Sequence, residues 1–350
     1  MRKAFVTVLI TLLVLGAAGG YIGLKVWDRI HAPYKGYAGA EQYVDIPPGM
    51  SSTAIGRTLV EAGVIETETI FRVALRLSGN VRGLKAGEYR FDHPVSAIEV
   101  LETVARGDTF ARRITFPEGL TIPEMAKLYE SRGFGPARDF TQAAADPSVV
   151  KDIDPAATDL EGYLFPDTYA LPRRTPASRL VAQMVGRFRA TYTDDLRSRA
   201  EEREMTTREV VTLAALIEKE TGAPDERPLV SAVYTNRLRI RMGLQADPTV
   251  VYALQKAGKY DGNIRREDLA LDSPYNTYKY RGLPPGPIAA PGKASLEAAV
   301  NPADVPYLYF VSRNDGTHAF AATLAEHNAN VRKFQVQYFR DQRARQQSSR

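Results

Sequence analysis

The chain opens with its longest uncharged run. Two of the first three residues are basic, residues 4–24 carry no charge, and Lys25 is the next charged position. At about 1.5 Å of helix rise per residue, this run can cross the roughly 30 Å hydrocarbon core of a bilayer. The pattern therefore predicts a membrane anchor over residues 1–30. A cleaved signal peptide is the alternative, because small residues cluster at 16–20, but the uncharged run continues past them.

A strand, a Pro-x-Gly turn and an amphipathic helix follow the anchor, and the same plan recurs at a constant offset of 70 residues (46 to 116). Ile46-Pro47-Pro48-Gly49 marks the first copy and Phe116-Pro117-Glu118-Gly119 the second. Between them, the run 85–91 alternates polar and apolar positions after its glycine and predicts a strand that follows a turn, and a helical period predicts a helix within 94–106. Two interpretations stay open: an ordinary strand-turn-helix unit, and a module that binds a wall polymer.

Helical periodicity dominates from residue 139 to about 204, with an insert at 161–169 that cannot continue a helix through Pro166. This insert is either a core-packing turn or a cleft-lining loop. Thr206 and Glu209 then form a capping-box signal, and the run that follows is apolar almost all round. The pattern predicts a buried helix that ends near two carboxylates.

The pattern changes again after a second predicted helix from Arg227 to about Ile240. From Gln245 to Gly292 the chain is poor in helix signal and rich in proline and glycine, which is typical of loops held on a rigid scaffold. A strand at 307–311 and the turn residues that follow it predict a β-hairpin.

Composition and charge limit the function classes. Hydrophobic residues make up 44% and charged residues 25%, which is ordinary globular usage. The absence of cysteine excludes a disulfide framework, thiol catalysis and thiolate metal ligands. Although the formal charge is +5, the 46 basic residues are interspersed with 41 acidic ones, so no nucleic-acid-binding surface is predicted.

Elimination leaves carboxylate chemistry. The four histidines form no His-Glu-x-x-His pair, and neither a Gly-x-Ser-x-Gly elbow nor a Walker loop occurs in the sequence. Glu218 and Glu220 lie about 200° apart around the predicted helix, so at most one of them faces a cleft. Both sit where the helix dipole opposes a negative charge. A carboxyl group whose pKa is raised there suits a general acid, although two solvated residues in a last turn are the alternative.

Other polar and aromatic residues stand in unusual local settings. Asp247 and Asp272 lie just before prolines, where capping or turn formation also explains them. The aromatic and amide side chains of Tyr275, Asn276 and Tyr278 suit stacking on sugars and binding of hydroxyl or acetamido groups. A well-packed turn explains the same three residues equally well.

Six of these segments together carry a resemblance to a known family. The sequence closely resembles the endolytic murein transglycosylase family, MltG or YceG-like, whose motifs match in order and spacing. Ala215 and Ala246 depart from residues common in the family, at positions that concern packing more than chemistry. The matching segments are Ala214–Thr221, Asn236–Leu238, Leu244–Val250, Tyr275–Tyr278, Gly282–Ile288 and Tyr307–Val311.

The resemblance implies that Glu220 is the catalytic residue. It would protonate the glycosidic oxygen between N-acetylmuramic acid and N-acetylglucosamine, then accept the proton of the muramic C6 hydroxyl. The product is a 1,6-anhydro end, no water is consumed, and one carboxylate suffices where ordinary glycosidases use two. Neither a cofactor nor a metal is expected. Residues expected to bind substrate are Glu218, Asn236, Arg237, Gln245, Asp247, Tyr275, Asn276, Tyr278 and Pro285.

The same resemblance implies an α+β fold and a location. The expected divisions are a cytoplasmic stub and transmembrane anchor at 1–30, a linker at 31–42, a LysM-like module at 43–112, a second strand-helix unit with a helical connection at 113–204, a catalytic domain at 205–338 and a basic tail at 339–350. The anchor would lie in the inner membrane with the catalytic domain on the periplasmic side. The expected role is to cut nascent glycan strands internally and limit their elongation, with peptidoglycan synthases as candidate partners.

Two rival functions stay open on the sequence. A hydrolase would need a second acid, such as Asp247 or Asp272, and would leave reducing ends. A non-catalytic wall-binding scaffold would bind glycan and release nothing.

Overall fold

The computed structural model describes residues 2–79, 83–340 and 342, and the chain forms two compact units, Met1–Arg112 and Arg113–Arg350. Helices and two-stranded sheets occur in both units. This mixed α and β structure, with an apolar helix at the start of the chain, agrees with the predicted class.

The first unit starts with the long helix α1 (Arg2–His31). Its segment Leu9–His31 is, within the described part of the chain, the helix that is long and apolar enough to span a membrane. Leu13 and Leu15 are 65% and 63% exposed, so α1 presents an apolar surface that water solvates poorly. Only near its end does α1 join a protein core, where Ile30 is buried.

The remainder of the first unit has the order strand, helix, helix, strand, helix. β1 (Gln42–Ile46) pairs antiparallel with β2 (Gly87–Phe91), so that Gln42 lies opposite Phe91 and Ile46 opposite Gly87. Ser96 caps the last helix of this unit in a capping box with Glu99. The strand predicted in the run 85–91 is confirmed and begins at its glycine, and the predicted helix begins at Ala97. The elements are β1 (Gln42–Ile46), α2 (Ser52–Glu61), α3 (Glu68–Leu77), β2 (Gly87–Phe91) and α4 (Ala97–Arg106).

The second unit carries two small sheets on a helical scaffold. β3 (Arg112–Thr115) pairs with β4 (Thr168–Leu171). β5 (Tyr309–Ser312) pairs antiparallel with β6 (His318–Ala321) as the predicted hairpin, closed where the amide of Arg313 donates to the carbonyl of Thr317. The predicted strand of this hairpin starts two residues late, at Tyr309. The strands are β3 (Arg112–Thr115), β4 (Thr168–Leu171), β5 (Tyr309–Ser312) and β6 (His318–Ala321).

The helices of the second unit supply most of its core. The insert at 161–169, left open by the sequence, packs Tyr163, Leu164 and Phe165 into this core. The helices are α5 (Ile122–Ser131), α6 (Ala137–Ala144), α7 (Ala177–Thr191), α8 (Asp194–Glu202), α9 (Thr207–Glu220), α10 (Arg227–Arg239), α11 (Asp247–Lys256), α12 (Lys293–Val300) and α13 (Leu324–Val331). Short 3₁₀ turns occur at Pro147–Val150, Pro224–Glu226 and Arg266–Ala270, and a π-helical segment at Arg332–Gln337.

Helix α9 lies at the centre of this unit. The capping box predicted at Thr206 and Glu209 is present, and every residue from Val210 to Ile217 is buried. α12 and α10 pack against it, and α11 and α8 contact it as well. Burial on all sides explains why its sequence shows almost no polar face.

The prediction of a loop after Gln245 is wrong for its first part, because α11 occupies Asp247–Lys256. Pro248 lies in the first turn of this helix, where a missing N–H costs nothing and the fixed φ favours helix entry. The Asp-Pro pair therefore lies at a helix start, where the sequence left capping and turn formation open. At the other end of the unit, helix continues to residue 340, and most of the predicted basic tail (341 and 343–350) lies outside the described residues.

The backbone at Gly162 generates a stability prediction. Its φ is +82°, and a Cβ atom there would lie 2.5 Å from Cβ of Pro287 and 2.8 Å from Val211. Gly162→Ala should destabilise the second unit by about 2–4 kcal/mol, because it combines left-handed strain with overpacking. Urea unfolding of the full chain in detergent measures this.

Gly186 is the matched control, because it lies within α7 with nothing within 4 Å of an added Cβ. Gly186→Ala should stabilise by roughly 0.5–1 kcal/mol through helix propensity. Equal effects of the two substitutions would contradict the packing argument.

Candidate active site

Glu220 is the last residue of α9, and its carboxylate has one short hydrogen bond. The hydroxyl of Tyr234, on α10, donates to Oε1 of Glu220 at 2.5 Å. Tyr234 is itself 1% exposed, so packing fixes the position of this donor. The turn Pro224–Glu226 joins the two helices and brings their side chains together.

The surroundings of Glu220 disfavour its charged form. Burial, reinforced by the nearby negative charge of Asp247, raises the pKa of Glu220 to about 7. The hydrogen bond from Tyr234 and the electrostatic effects of His318 and Arg237 lower this pKa but do not overcome the burial. Near neutral pH this carboxyl group therefore exchanges between its protonated and ionised forms, as proton transfer requires.

Arg237 holds together the loops around Glu220. Its guanidinium donates to the carbonyl of Leu308 at 2.6 Å and to that of Leu244 at 2.7 Å, and it lies 5.3 Å from the ring centre of Tyr309. The residue is only 8% exposed. Because Leu308 precedes β5 and Leu244 precedes α11, one side chain ties two functional segments to α10.

Asp247 and Tyr278 form the exposed edge of the same site. The hydroxyl of Tyr278 donates to Oδ1 of Asp247 at 2.5 Å. Burial and the charges of Asp247 and Glu220 raise the pKa of Tyr278, so this hydroxyl keeps its proton. Asp247 begins α11, and Tyr278 comes from the loop after it.

A Glu226–His318 pair adjoins the C-terminal end of α9. Nδ1 of His318 lies 2.7 Å from Oε2 of Glu226, and the backbone amide of His318 donates to the other oxygen at 2.7 Å. Thr221, which follows Glu220 in the chain, also donates to Glu226 at 3.1 Å. Burial acts to raise the pKa of Glu226, but these hydrogen bonds outweigh it and lower the pKa below its usual value. The pair thereby attaches β6 to the end of α9.

Comparison with known proteins decides the family. The YceG-like family matches residues 44–333. The chain belongs to the YceG-like family.

Relatives and a solved structure agree with this assignment. A Bacillus subtilis protein named endolytic murein transglycosylase is 31% identical over 83% of this chain and 84% of its own length. A Streptococcus pneumoniae protein of the same name is 31% identical over 94% of this chain, which spans 65% of that relative. A crystal structure of a YceG-like protein from Listeria monocytogenes has a TM-score of 0.57 and 31% identity, covering 83% of this chain and 99% of that one.

Glu218 has different partners from Glu220 in this YceG-like chain. Its Oε2 accepts the amide of Gly292 at 3.0 Å, and its Oε1 lies 3.4 Å from the guanidinium of Arg227. The side chains of this ion pair are 6% and 9% exposed. Arg227 also donates to the hydroxyl of Ser295 on α12. Glu218 thus joins α9 to α10 and to the segment that enters α12.

Two other predicted residues donate to backbone carbonyls, and a third is exposed. Asn236 donates its amide to the carbonyls of Val305 and Tyr307. Asn276 is fully buried, and its amide donates to two carbonyls within its own loop. Gln245 is exposed beside Asp247 and adopts a left-handed backbone with φ of 49°.

Tyr275 and Pro285 lie toward the other end of α9. The ring of Tyr275 packs 4.9 Å from that of Tyr252, and the carbonyl of Pro285 accepts from Arg208 at 2.7 Å. Arg208 is in the first turn of α9 and Glu220 is its last residue, so at about 1.5 Å per residue roughly 18 Å of helix separates them. The structure therefore groups Arg237, Asp247 and Tyr278 with Glu220, and places Tyr275 and Pro285 elsewhere.

Sequence reasoning did not identify Tyr234, Glu226 or the contact of His318 with this site. Tyr234 occupies an ordinary core-facing position of an amphipathic helix, and His318 is 92 residues from its partner. Within the described ranges, no three His, Asp or Glu residues are placed to hold a metal ion.

The raised pKa of Glu220 generates a prediction that needs no substrate. Folding raises this pKa from the usual 4.5 to about 7, so ionising Glu220 above pH 4.5 costs stability, and the full cost is present above pH 7. Glu220→Gln removes that cost. The difference in unfolding free energy between the variant and wild type should therefore grow in favour of the variant by about 1–3 kcal/mol from pH 4.5 to pH 8. Denaturant unfolding at both pH values measures the difference, and a difference independent of pH would contradict the assignment.

Proposed function

We propose that this chain is an endolytic murein transglycosylase, a lyase that cleaves the glycan strands of peptidoglycan. Its family and its two named relatives support the activity. The observation that carries the chemistry is the carboxyl group of Glu220, which sits at the end of a buried helix with a pKa near 7 and a fixed hydrogen-bond donor.

The reaction needs a single group that gives up a proton and then takes one back. Protonated Glu220 donates to the glycosidic oxygen that leaves with N-acetylglucosamine, and the bond from that oxygen to C1 of N-acetylmuramic acid breaks. The resulting carboxylate accepts the proton of the C6 hydroxyl, and the C6 oxygen forms a new bond to C1. Glu220 ends protonated, the product is a 1,6-anhydro end, and no water enters the balance.

The surroundings of Glu220 suit both halves of this cycle. Burial keeps the carboxyl protonated in a fraction of molecules near neutral pH, which supplies the acid. After the first transfer, the hydroxyl of Tyr234 and the charge of Arg237 stabilise the carboxylate until it acts as base. A pKa near the working pH lets one residue fill both roles.

Seven of the nine predicted substrate-binding residues divide into two groups in this proposal, and Tyr275 and Pro285, which lie toward the other end of α9, belong to neither. Gln245, Asp247 and Tyr278 contact the sugars, because they are exposed or half-buried next to Glu220. Glu218, Asn236 and Asn276 act through the loops whose backbone they hold. Arg237 contributes in both ways, through its charge near Glu220 and through the carbonyls that it binds.

The decisive test is the product formed by variants. Glu220→Gln should lower the release of anhydro-ended fragments from purified peptidoglycan by about a thousandfold, because the amide cannot donate or accept the catalytic proton. Mass spectrometry of the digest measures this, with circular dichroism to verify folding. Full activity of this variant would disprove the proposal.

Two matched variants separate the rival mechanisms. Asp247→Asn and Asp272→Asn should keep the anhydro product, because the lyase uses one carboxylate. Asp272 is exposed and paired with Lys279 and Tyr280. If wild type released products with reducing ends and these vanished in either variant, the protein would be a hydrolase. If wild type bound glycan and released no product, it would be a scaffold.

The hydrogen bond from Tyr234 generates a prediction about pH. This bond favours ionised Glu220, so Tyr234→Phe should raise the pKa of Glu220 further. Because the acid must start protonated, activity falls as the pH rises through that pKa. The alkaline limb of kcat/KM should therefore move to higher pH in the variant, by about one unit. A lower activity with an unmoved limb would mean that Tyr234 serves packing alone.

The first unit is proposed to anchor the enzyme and bind its polymer. The exposed apolar surface of α1 supports a single-pass anchor, and we place it in the inner membrane with the second unit on the periplasmic side. The order β1, α2, α3, β2 around an antiparallel pair supports a LysM-like module that binds glycan. The expected association with peptidoglycan synthases stays a prediction.

A further inference from the structure

A cavity apart from the candidate active site lies in the Arg113–Arg350 unit, with a volume of about 500 Å³. The start of α5, the loop that leads to Glu161 and the C-terminal half of α11 surround it. Among the described residues that line it, none contacts Glu220 in the site above. The lining residues that matter here are Glu124, Lys127, Asp159, Glu161, Tyr252 and Lys256.

Glu161 forms the floor of this cavity. It is 6% exposed, its two oxygens lie 3.2 and 3.3 Å from the amide of Ile122, and the hydroxyl of Tyr252 is 3.4 Å away. Burial raises the pKa of Glu161 to about 8, so at neutral pH the group is mostly uncharged and keeps an O–H donor. The first amide of α5 is already bonded, so the cavity is more than an open helix terminus.

The other two carboxylates of the cavity are occupied by local backbone. Glu124 accepts from the amide and hydroxyl of Thr121 at 2.8 and 3.0 Å, as part of a capping box. Asp159 accepts the amide of Glu161 at 3.0 Å. Glu124 and Asp159 therefore stabilise the surrounding backbone, and their oxygens are less available to bind a ligand.

The two lysines are in the opposite situation. Within the described part of the chain, neither Lys127 nor Lys256 has an acidic partner within 4.0 Å. The ammonium group of Lys256 lies 5.7 Å from the ring centre of Tyr252 and 5.5 Å from that of Tyr275, which restrains it at the cavity wall. The cavity thus presents to a ligand two ammonium groups without an acidic partner within 4.0 Å and one buried O–H. These hydrogen-bond donors match the oxygens of a carboxylate.

Helix α11 connects this cavity to the candidate active site. It begins at Asp247 beside Glu220 and ends at Lys256 on the cavity wall, a helical distance of roughly 13 Å at about 1.5 Å per residue. An extended peptide of four residues spans a similar distance, at about 3.3–3.6 Å per residue. A peptide attached to a sugar at Glu220 is therefore long enough to reach the lysines.

We propose that this cavity binds a carboxylate-bearing peptide, namely the peptide stem carried by the glycan strand that Glu220 cleaves. This inference rests on the proposed function. The volume of the cavity lies within the range typical of ligand pockets and accommodates a few amino-acid residues. The enzyme would then select strands whose muramic acid still carries a stem over strands from which stems have been removed.

The test compares two substrates with the full chain in detergent: intact glycan strands, and the same strands stripped of stems by an amidase. Wild type should cut intact strands with the higher kcat/KM. Lys127→Ala/Lys256→Ala should lower kcat/KM on intact strands by about tenfold and leave that on stripped strands unchanged, since each lost charged contact weakens binding moderately.

Lys259→Ala/Lys293→Ala is the control, because it removes the same charge from lysines that do not line the cavity. It should behave as wild type on both substrates. Equal effects of the cavity variant on both substrates, or no effect on either, would overturn the stem site. Absence of anhydro products from both substrates with wild type would instead refute the proposed function, so the two failures are distinguishable.

Discussion

The end of helix α9 places two carboxylates where both the helix dipole and the surrounding apolar core oppose negative charge. The arrangement of the second unit depends on which groups surround each of these carboxylates. Glu218 receives a buried guanidinium and a backbone amide, and so remains an ionic link between helices. Glu220 receives a hydroxyl and the charge of Arg237, which do not offset its burial, and its pKa rises.

The position of the hydroxyl at Glu220 depends on the ion pair at Glu218. Breaking the Glu218–Arg227 pair would leave a buried charge unpaired, so the pair holds the ends of α9 and α10 in one arrangement. That arrangement brings Tyr234 within hydrogen-bond distance of Glu220. A structural ion pair thereby sets the geometry of a neighbouring proton-transfer group, two residues away on the same helix.

The loops around Glu220 owe their positions to buried polar side chains that bind backbone. Arg237 and Asn236 on α10 bind carbonyls in the segment leading into β5, and Glu226 binds the amide of His318 at the start of β6. Long irregular segments need such partners, because a buried carbonyl or amide without one costs about 1–3 kcal/mol. A loop-built site is therefore held on a rigid helical frame, which suits a reaction that needs one carboxyl group in a precise place.

The sequence by itself determined the local features. A capping box and an unbroken apolar run located α9, the alternation and turn signals located the β5–β6 hairpin, and an uncharged run located α1. It also showed that Glu218 and Glu220 point in different directions, and family motifs favoured Glu220. These signals act over a few residues, within one turn of helix or one pleat of a strand, so a single sequence displays them.

Only the tertiary structure decided what surrounds those residues. The partner of Glu220 is 14 positions away and that of Glu226 is 92 positions away, while Tyr275 and Tyr278, three residues apart, face different ends of α9. The cavity over Glu161 was equally invisible in the local sequence. A pKa, a hydrogen bond and a cavity are properties of atoms brought together from distant segments, and no local pattern encodes which segments will meet.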